Sequence, residues 1–594
     1  MTAIHAETDA GCQDLILVAG SVGDPTHEGV ARAAKRLKLL TPLFSTTEPA
    51  GALRTPLTWA AVVQLSATFG TNFVPGPRLC EWITAQTLAR TTALPVDEPL
   101  DIELPAGLVP RPYQVDGARE IARTGRQLIF DEPRTGKTIT TILGLALRSG
   151  PGHLGGLPIL VVCPASVVDP WVEAFNAWAP YWKAVAWRGT PKKRHALAGT
   201  ADVYVTSYDT ARQDTPVIAK GSALLDLDAR SLVVDESHFV KNPHAGRTKS
   251  VQRLARDVTT FVALSGTPIT HHPGDLWPAL RCLEPHAWPS RERWVNRYCQ
   301  TLPGDYGDEI LGLARHAEPE FRLTLLGQHR RIARADVMGQ LPPKTYSVRT
   351  VDLPAKWRKA YDDMESQMLA ELPDGSEMSV MSVLAQLTRL SQLASAPANV
   401  VTTVDENELG PDGMPKVHTE VTLEAPSWKV DALLEVLDER PGEKVVVFAP
   451  SRQLIMLAGA AAEKAGHRVG YIVGGQAQGV RTETIRSFQH GDLNLICATT
   501  GAGGTGITLS AAGTLLFLQR PWSLVESVQA EDRGEGDMEA THGTEVIDVV
   551  ARNTIDTRVR AVLRERAGQL ADLVQDPRIV AELLGGTTTE RKSA

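Results

Sequence analysis

The sequence predicts an α/β protein built from two parallel-sheet lobes, and three observations predict it. Short apolar segments alternate with helical ones from residue 111 to about 350, and the alternation restarts at Ser427. Such alternation argues for parallel sheets with helices on both faces. The string FDEPRTGKT, Phe130 to Thr138, follows the apolar run Gln127 to Phe130 and precedes a helical run, Ile139 to Leu147. It reads as strand, phosphate loop and helix. The string VVDESH, Val233 to His238, reads as an apolar strand that ends in two carboxylates.

From the N-terminus, Leu15 to Val18 reads as a short strand and Glu28 to Leu40 as a helix. Arg32, Lys35, Arg36 and Lys38 on that helix read as a solvated face before they read as a nucleic-acid contact. Thr58 to Phe69 and Pro77 to Thr92 read as two further helices, and Pro95 to Pro112 as a linker rich in proline and acid. The first lobe's strands are Leu128–Phe130, Ile159–Cys163, Val203–Thr206, Leu232–Val234 and Val262–Leu264. Trp171, Phe175, Trp178 and Trp182 recur at helical spacing and read as helix core. His271-His272 reads as a polar loop. Residues 275 to 400 read as mostly helical with a break at Leu341-Pro-Pro343, and 401 to 420 as an exposed loop. The second lobe's strands are Val445–Phe448, Val469–Ile472, Leu493–Ala498, Thr514–Leu518 and Val546–Val550. The tail from about 565 reads as helical, and the residues from Gly585 onward as disordered.

The phosphate loop and the DE pair then lie at strand C-termini, where ligands of such sheets bind. Backbone N–H groups of the loop and the helix N-terminus suit phosphate oxygens, Lys137 neutralises β/γ charge, and Thr138 binds magnesium. Asp235 holds the metal, directly or through water, and Glu236 orients and deprotonates the attacking water. The implied cofactors are ATP and magnesium.

The chain has 594 residues, 43% apolar and 22% charged, with a net charge of −8 and a pI of about 6.0. That mix is an ordinary globular one, and the length suits three or more domains. No apolar run approaches the roughly 18–20 residues of a membrane helix, so no membrane partner is expected. Glu7, Asp9 and Asp14 near the start argue against a secretory signal. Six scattered cysteines form no C-x-x-C pair. They fit a reducing, cytoplasmic setting and indicate neither zinc ribbon nor disulfide framework. The acidic total argues against a strongly basic nucleic-acid binder. It leaves room for a locally positive groove whose affinity depends on salt.

Further strings keep a fixed order: RPYQ (Arg111 to Gln114), TSYD (Thr206 to Asp209), SGTP (Ser265 to Pro268), LPPK (Leu341 to Lys344), SWK (Ser427 to Lys429), GAGGTGITL (Gly501 to Leu509) and QAEDR (Gln529 to Arg533). With the phosphate loop and the DE pair, this set resembles the superfamily 2 helicases, and among them the Swi/Snf-type double-stranded-DNA translocases. The resemblance covers roughly residues 105 to 560. It implies two RecA-like lobes of the P-loop NTPase type, with a helical insertion between them and a small N-terminal accessory domain. The expected divisions are 1–100 (accessory), 101–350 (lobe one), 351–425 (helical insertion and linker), 426–575 (lobe two) and 576–594 (tail).

The resemblance assigns ATP contacts to Arg111, Tyr113, Gln114, Arg134, Thr135, Gly136, Lys137 and Thr138, and from lobe two to Gly504 and Gly506. Gln114 is the expected adenine reader, since its amide can pair with both N6 and N7. Gln529 and Arg533 join Lys137, Asp235 and Glu236 as catalytic residues, with Arg533 as an arginine finger worth about 10³–10⁵ in rate. Ser265 and Thr267 couple the ATP and DNA sites through His238. Ser166, Thr206, Ser207, Lys241, Thr500 and Thr508 face DNA phosphates, a contact that carries no base information. The partner implied is DNA, duplex favoured, and the chain is expected to act as a monomer.

Three positions depart from the family pattern. Gly536, between Glu535 and Asp537, stands where a second arginine is usual. Arg134 stands where the loop usually has glycine, which tolerates backbone angles that other residues resist. Its guanidinium is a candidate substitute for the missing cation. Thr508 replaces the usual Asn. Two rival readings follow: a hydrolysis-impaired, ATP-gated DNA clamp, and an RNA-directed helicase. No chromodomain or bromodomain is visible, which argues against nucleosome remodelling; replication, fork remodelling, recombination, repair and defence stay open. The compact size and the Ala-, Gly- and Arg-rich usage suggest a bacterial or bacteriophage source.

Overall fold

A computed structural model describes residues 4–18, 53–91, 100–149, 156–216, 224–268, 272–303, 309–337, 344–370, 380–409, 415–503, 509–534 and 544–563. The expected helix Glu28–Leu40, His271, Leu341-Pro-Pro343, Gly504, Gly506, Thr508, the Glu535–Asp537 segment and the tail from 565 lie outside the described residues. The chain forms two compact units, divided between Val337 and Met338.

The first unit holds a seven-stranded parallel sheet. Its strands are β5 (Arg126–Ile129), β6 (Ile159–Cys163), β7 (Ala184–Ala186), β8 (Val203–Ser207), β9 (Ser231–Val234), β10 (Thr260–Leu264) and β13 (His329–Arg330), in the order β13-β5-β10-β9-β6-β8-β7. β6, β9 and β10 are buried along their whole length, which is why they read as continuous apolar runs. Their residues alternate between two cores, Leu160, Val162 and Leu232 on one face and Val161, Val233 and Val262 on the other.

Ahead of this sheet, β1 (Ile4–Thr8), β2 (Asp14–Val18), β3 (Leu53–Pro56) and β4 (Phe73–Pro75) form a small sheet in the order β3-β2-β1-β4. Ile4, Ala6, Leu15 and Leu17 face the helices α1 (Trp59–Phe69) and α2 (Pro77–Thr91). The N-terminal residues fall in the same compact unit as the seven-stranded sheet and attach to it directly. The reason is visible at α1. Trp59 Nε1 donates to Leu323 O at 2.7 Å, and Gln64 Nε2 donates to the Tyr298 hydroxyl at 2.7 Å. Ala60 lies in the main core of the unit.

The second unit holds a six-stranded parallel sheet, in the order β14-β21-β20-β17-β19-β18. The strands are β14 (Thr345–Val351), β17 (Val445–Ala449), β18 (Val469–Ile472), β19 (Leu495–Thr499), β20 (Thr514–Phe517) and β21 (Glu545–Ala551). β14 corrects the expected lobe boundary at 350, because it pairs from Thr345↔Glu545 to Val351↔Ala551. Two hairpins correct the expectation of helix and loop between 275 and 423. β11 (Cys299–Leu302) pairs with β12 (Glu309–Leu313), and β15 (Ala398–Leu409) with β16 (Pro415–Leu423). The second ribbon, Val-Val-Thr-Thr-Val facing Val-His-Thr-Glu-Val, is rich in β-branched residues, which outweigh its polarity.

Candidate functional site

The phosphate loop joins β5 to the helix Lys137–Ser149, whose thirteen residues give it a full N-terminus. Two loop residues take the left-handed backbone conformation, Arg134 at φ +65° and Gly136 at φ +80°. Position 134, where glycine is usual, thus takes a backbone that glycine favours and bears the strain of a side chain there, of order 1–3 kcal/mol. At 136 glycine is required on two grounds, the positive φ and a Cβ that would lie 2.2 Å from Gln114 Nε2.

Gln114 sits at the start of the helix Pro112–Thr124. Its Oε1 accepts from the Arg111 amide at 3.0 Å, and its Nε2 donates to Thr135 O at 3.2 Å. The amide therefore caps its own helix and braces the loop. Lys137 Nζ donates to the carbonyls of Asp131 and Glu132 at 2.8 and 3.1 Å, so the loop's first turn wraps its ammonium. Thr135 Oγ1 donates to Glu132 O at 2.8 Å and closes the turn.

Asp235 and Glu236 follow β9, two strands from β5. Asp235 Oδ2 accepts from Trp171 Nε1 at 2.8 Å, and its Oδ1 from the Glu236 amide at 2.9 Å. Burial, and then the neighbouring Glu236, push the Asp235 carboxyl up to about 6; Trp171 and Lys137 act against that shift. Trp171 is buried, as its helix-core reading expected, yet its indole nitrogen also serves the site. Tyr208 adds a support that the sequence did not reveal: its hydroxyl donates to Asp235 O at 2.5 Å. Glu236 itself is held at φ +50°, a second non-glycine strain point in the site.

His238 Nδ1 lies 3.3 Å from Glu236 Oε2 and 3.3 Å from Ser265 Oγ. Burial pushes the imidazole down to about 4, so it is neutral near pH 7. Its contact with Glu236 is then a polar contact rather than an ion pair, and the hydrogen bond of Nδ1 is the one with Ser265 Oγ. Thr267 N donates to Ser265 Oγ at 3.1 Å, so Thr267 enters through its backbone. A Cβ on Gly266 would lie 2.9 Å from the Pro133 ring, so the SGTP turn packs on the phosphate loop. The first unit thus brings together the loop, the carboxylate pair, His238 and Ser265, which the sequence places far apart.

The DNA-facing expectations divide. Thr206 is fully buried, with Oγ1 donating to Trp187 O at 3.2 Å, and Thr500 is 1% exposed. Neither is a surface contact here. Thr206 is the fourth residue of β8 and Thr500 directly follows β19, so both side chains fall inside the sheet's cover. Ser207 Oγ caps the helix Tyr208–Asp214 by accepting from Thr210 N at 3.2 Å. Ser166 and Lys241 are half-exposed.

In the second unit, Gln529 and Arg533 stand one turn apart on the helix Leu524–Arg533, both half-buried. The acids of the same motif anchor that helix. Lys344, the last residue of LPPK, bonds Asp532 Oδ1 at 3.0 Å, and the Tyr346 hydroxyl bonds Glu531 Oε2 at 3.0 Å. Arg520 bonds Ser527 Oγ at 2.7 Å and Asp548 Oδ1 at 2.6 Å and also pairs with Glu531. SWK is likewise structural: Lys429 is fully buried, 2.6 Å from Asp556 Oδ2, and Ser427 Oγ donates to Ser395 O.

The residues present fit a nucleoside triphosphate. Arg111 Nη1 and the Tyr113 hydroxyl are buried polar atoms without a well-formed hydrogen bond, beside a loop that only glycine at 136 allows to close on Gln114. A divalent cation fits only in part as a protein-held ion. Among the described residues no cluster of three or more His, Cys, Asp or Glu forms a cage. Asp235 with the Thr138 hydroxyl is the sparse donor set that suits magnesium bound mainly by phosphates and water.

The model of the SNF2-related domain matches residues 113–399, and that of the helicase conserved C-terminal domain matches residues 428–534. The TATA-binding protein-associated factor mot1 of Aspergillus fumigatus is 24% identical over 503 residues, which cover 76% of this chain and 26% of that protein. The SWI/SNF-related matrix-associated actin-dependent regulator of chromatin subfamily A-like protein 1 of Xenopus laevis is 26% identical, over 77% of this chain and 43% of its own length. The DNA annealing helicase and endonuclease ZRANB3 of Mus musculus is 24% identical, over 77% and 40%. The chain therefore spans between about a quarter and under half of these relatives. The solved Sulfolobus solfataricus SWI2/SNF2 ATPase core in complex with dsDNA is 21% identical, covering 81% of this chain and 95% of that one, with a TM-score of 0.37.

Proposed function

The chain carries the two domains of a Snf2-type superfamily 2 helicase, an ATPase, and on that premise we propose that it spends ATP to move along double-stranded DNA. The observation that carries the reading is one constellation in the first unit: Lys137 at the phosphate loop, Asp235 and Glu236 after β9, and His238 tying Glu236 to Ser265.

In this reading the backbone amides at the start of the helix Lys137–Ser149 hold the β- and γ-phosphates, and Lys137 spreads its charge over them. Bound magnesium would neutralise charge between those phosphates, with Asp235 and Thr138 as its protein donors. Glu236 takes a proton from water as the water's oxygen bonds to the γ-phosphorus. The bond to the β–γ bridging oxygen breaks, and ADP and phosphate leave. His238, 3.3 Å from the Glu236 carboxylate and hydrogen-bonded to Ser265, stands between that carboxylate and the Ser265–Thr267 turn and is the link proposed between them. Arg533 is the proposed transition-state cation of the second unit.

Duplex DNA as the track is supported by the Swi/Snf-type motif set and by relatives named for chromatin regulation and DNA annealing. Replication, recombination or repair is the setting proposed, in the cytoplasm, where scattered and unpaired cysteines are at home. ATP turnover measured with long duplex DNA, single-stranded DNA and RNA tests the reading. Duplex DNA should raise the rate at least several-fold and RNA should not. Glu236→Gln should keep ATP binding and lose turnover. Equal stimulation by RNA would point to the RNA-directed alternative. A rate indifferent to every nucleic acid would overturn translocation, and tight ATP and DNA binding without turnover would support the clamp.

A further inference from the structure

Arg330 has no part in the chemistry described above, yet it bonds two of the segments that build the site. It lies on β13 and is 6% exposed. Its Nε sits 3.1 and 3.3 Å from the two carboxylate oxygens of Asp131, a residue 1% exposed at the mouth of the phosphate loop. Its Nη2 donates to Tyr113 O at 2.6 Å. Asp131 Oδ1 also accepts from the Ile332 amide at 2.9 Å, and the carbonyls of Asp131 and Glu132 hold Lys137.

One guanidinium therefore ties the helix that carries Tyr113 and Gln114 to the turn that carries Lys137. The helix Pro112–Thr124 is shaped around it: a Cβ on Gly117 would lie 2.6 Å from Arg330 Nη1. Asp116 and Glu120, one turn apart on that helix, complete an acidic surround for Arg330 with Asp131.

We propose that Arg330 is a positioning residue for ATP, holding the base-binding helix and the phosphate loop in register so that both ends of one nucleotide are gripped together. This rests on the ATP-site reading above. The Nη2 bond to the Tyr113 carbonyl is what joins the ion pair to the helix Pro112–Thr124. A guanidinium is suited to the task because its rigid planar fork fixes the directions in which Nε and Nη2 meet two separated acceptors, whereas an ammonium is a compact point charge on a flexible stem.

The test compares ATP with inorganic tripolyphosphate, which offers the phosphate end only, both as magnesium salts. Dissociation constants are measured for the full chain, for Arg330→Lys and for Asp131→Asn. Arg330→Lys should weaken ATP about tenfold and tripolyphosphate less than about twofold, because only the base end loses its register. Asp131→Asn, which keeps the volume and an acceptor for Ile332 N, should show the same pattern more weakly. An equal loss for both ligands, or a loss for neither, would overturn the proposal. Should both variants fail to fold, hydrogen exchange on the unaltered protein decides. ATP should slow exchange at Gln328 to Ile332 more than tripolyphosphate does, and equal protection by the two would overturn the positioning role of Arg330. If the unaltered protein binds neither ligand, the ATP-site reading itself fails, which is a different result.

Discussion

Neutral His238 carries a stability consequence with a definite sign. Burial lowers its folded-state value from 6.5 to about 4. The unfolded chain then takes up the proton first as pH falls. The contribution of the neutral imidazole is complete above about pH 6.5 and is lost progressively as pH falls through about 4, up to roughly 3 kcal/mol in all. His238→Gln should flatten that part of the acid slope. The check is urea unfolding of both proteins at pH 7 and 4.5. The stability gap between them should narrow on acidification, and a gap that stays constant would refute the linkage. At this scale the sequence disclosed the reacting groups and not their supports. Lys137, Asp235, Glu236 and His238 were legible because each follows a strand in a recognisable string. The Trp171 and Tyr208 bonds to Asp235 span 64 and 27 residues, and Arg330 reaches Asp131 across 199. No local pattern encodes such a partner.

Elements were legible in proportion to their burial. Central parallel strands such as β6 and β17 are apolar throughout, and β9 is so after Ser231, so they stand out from their flanks. The edge strand β14, Thr-Tyr-Ser-Val-Arg-Thr-Val, leaves Tyr346 and Val348 exposed and follows a proline break, so it blends into its surroundings. The two-residue β13 is too short for any periodicity to show. Gly117 is the element-scale clue that was available. A glycine inside a helix costs about 1 kcal/mol against alanine and calls for a reason. The reason is Arg330, with Thr140 Cγ2 also 2.6 Å from the would-be Cβ. Gly117→Ala should therefore destabilise the first unit by about 1–3 kcal/mol despite its better helix propensity. Thermal unfolding measures this, and a rise in Tm would show that the side chains give way freely.

At the scale of the whole molecule, the charge total and the site chemistry point in different directions. A net charge of −8 leaves any attraction to DNA local, so binding should weaken steeply as salt rises. The motif order was legible across both units because each motif is short and local. The membership of the N-terminal residues was not, because it rests on bonds from Trp59 and Gln64 to residues more than two hundred positions away.

That attachment matters to anyone cloning the ATPase. A fragment trimmed to the family match would begin at residue 113 and discard α1. It would uncover the socket of Trp59 and Val63 at Leu326, strip the Tyr298 hydroxyl of the Gln64 amide, and open the core where Ala60 sits. Such a piece should be recovered in inclusion bodies, while one that starts before β1 should stay in the supernatant. Soluble, ATP-hydrolysing material from the shorter piece would show that α1 is dispensable ornament.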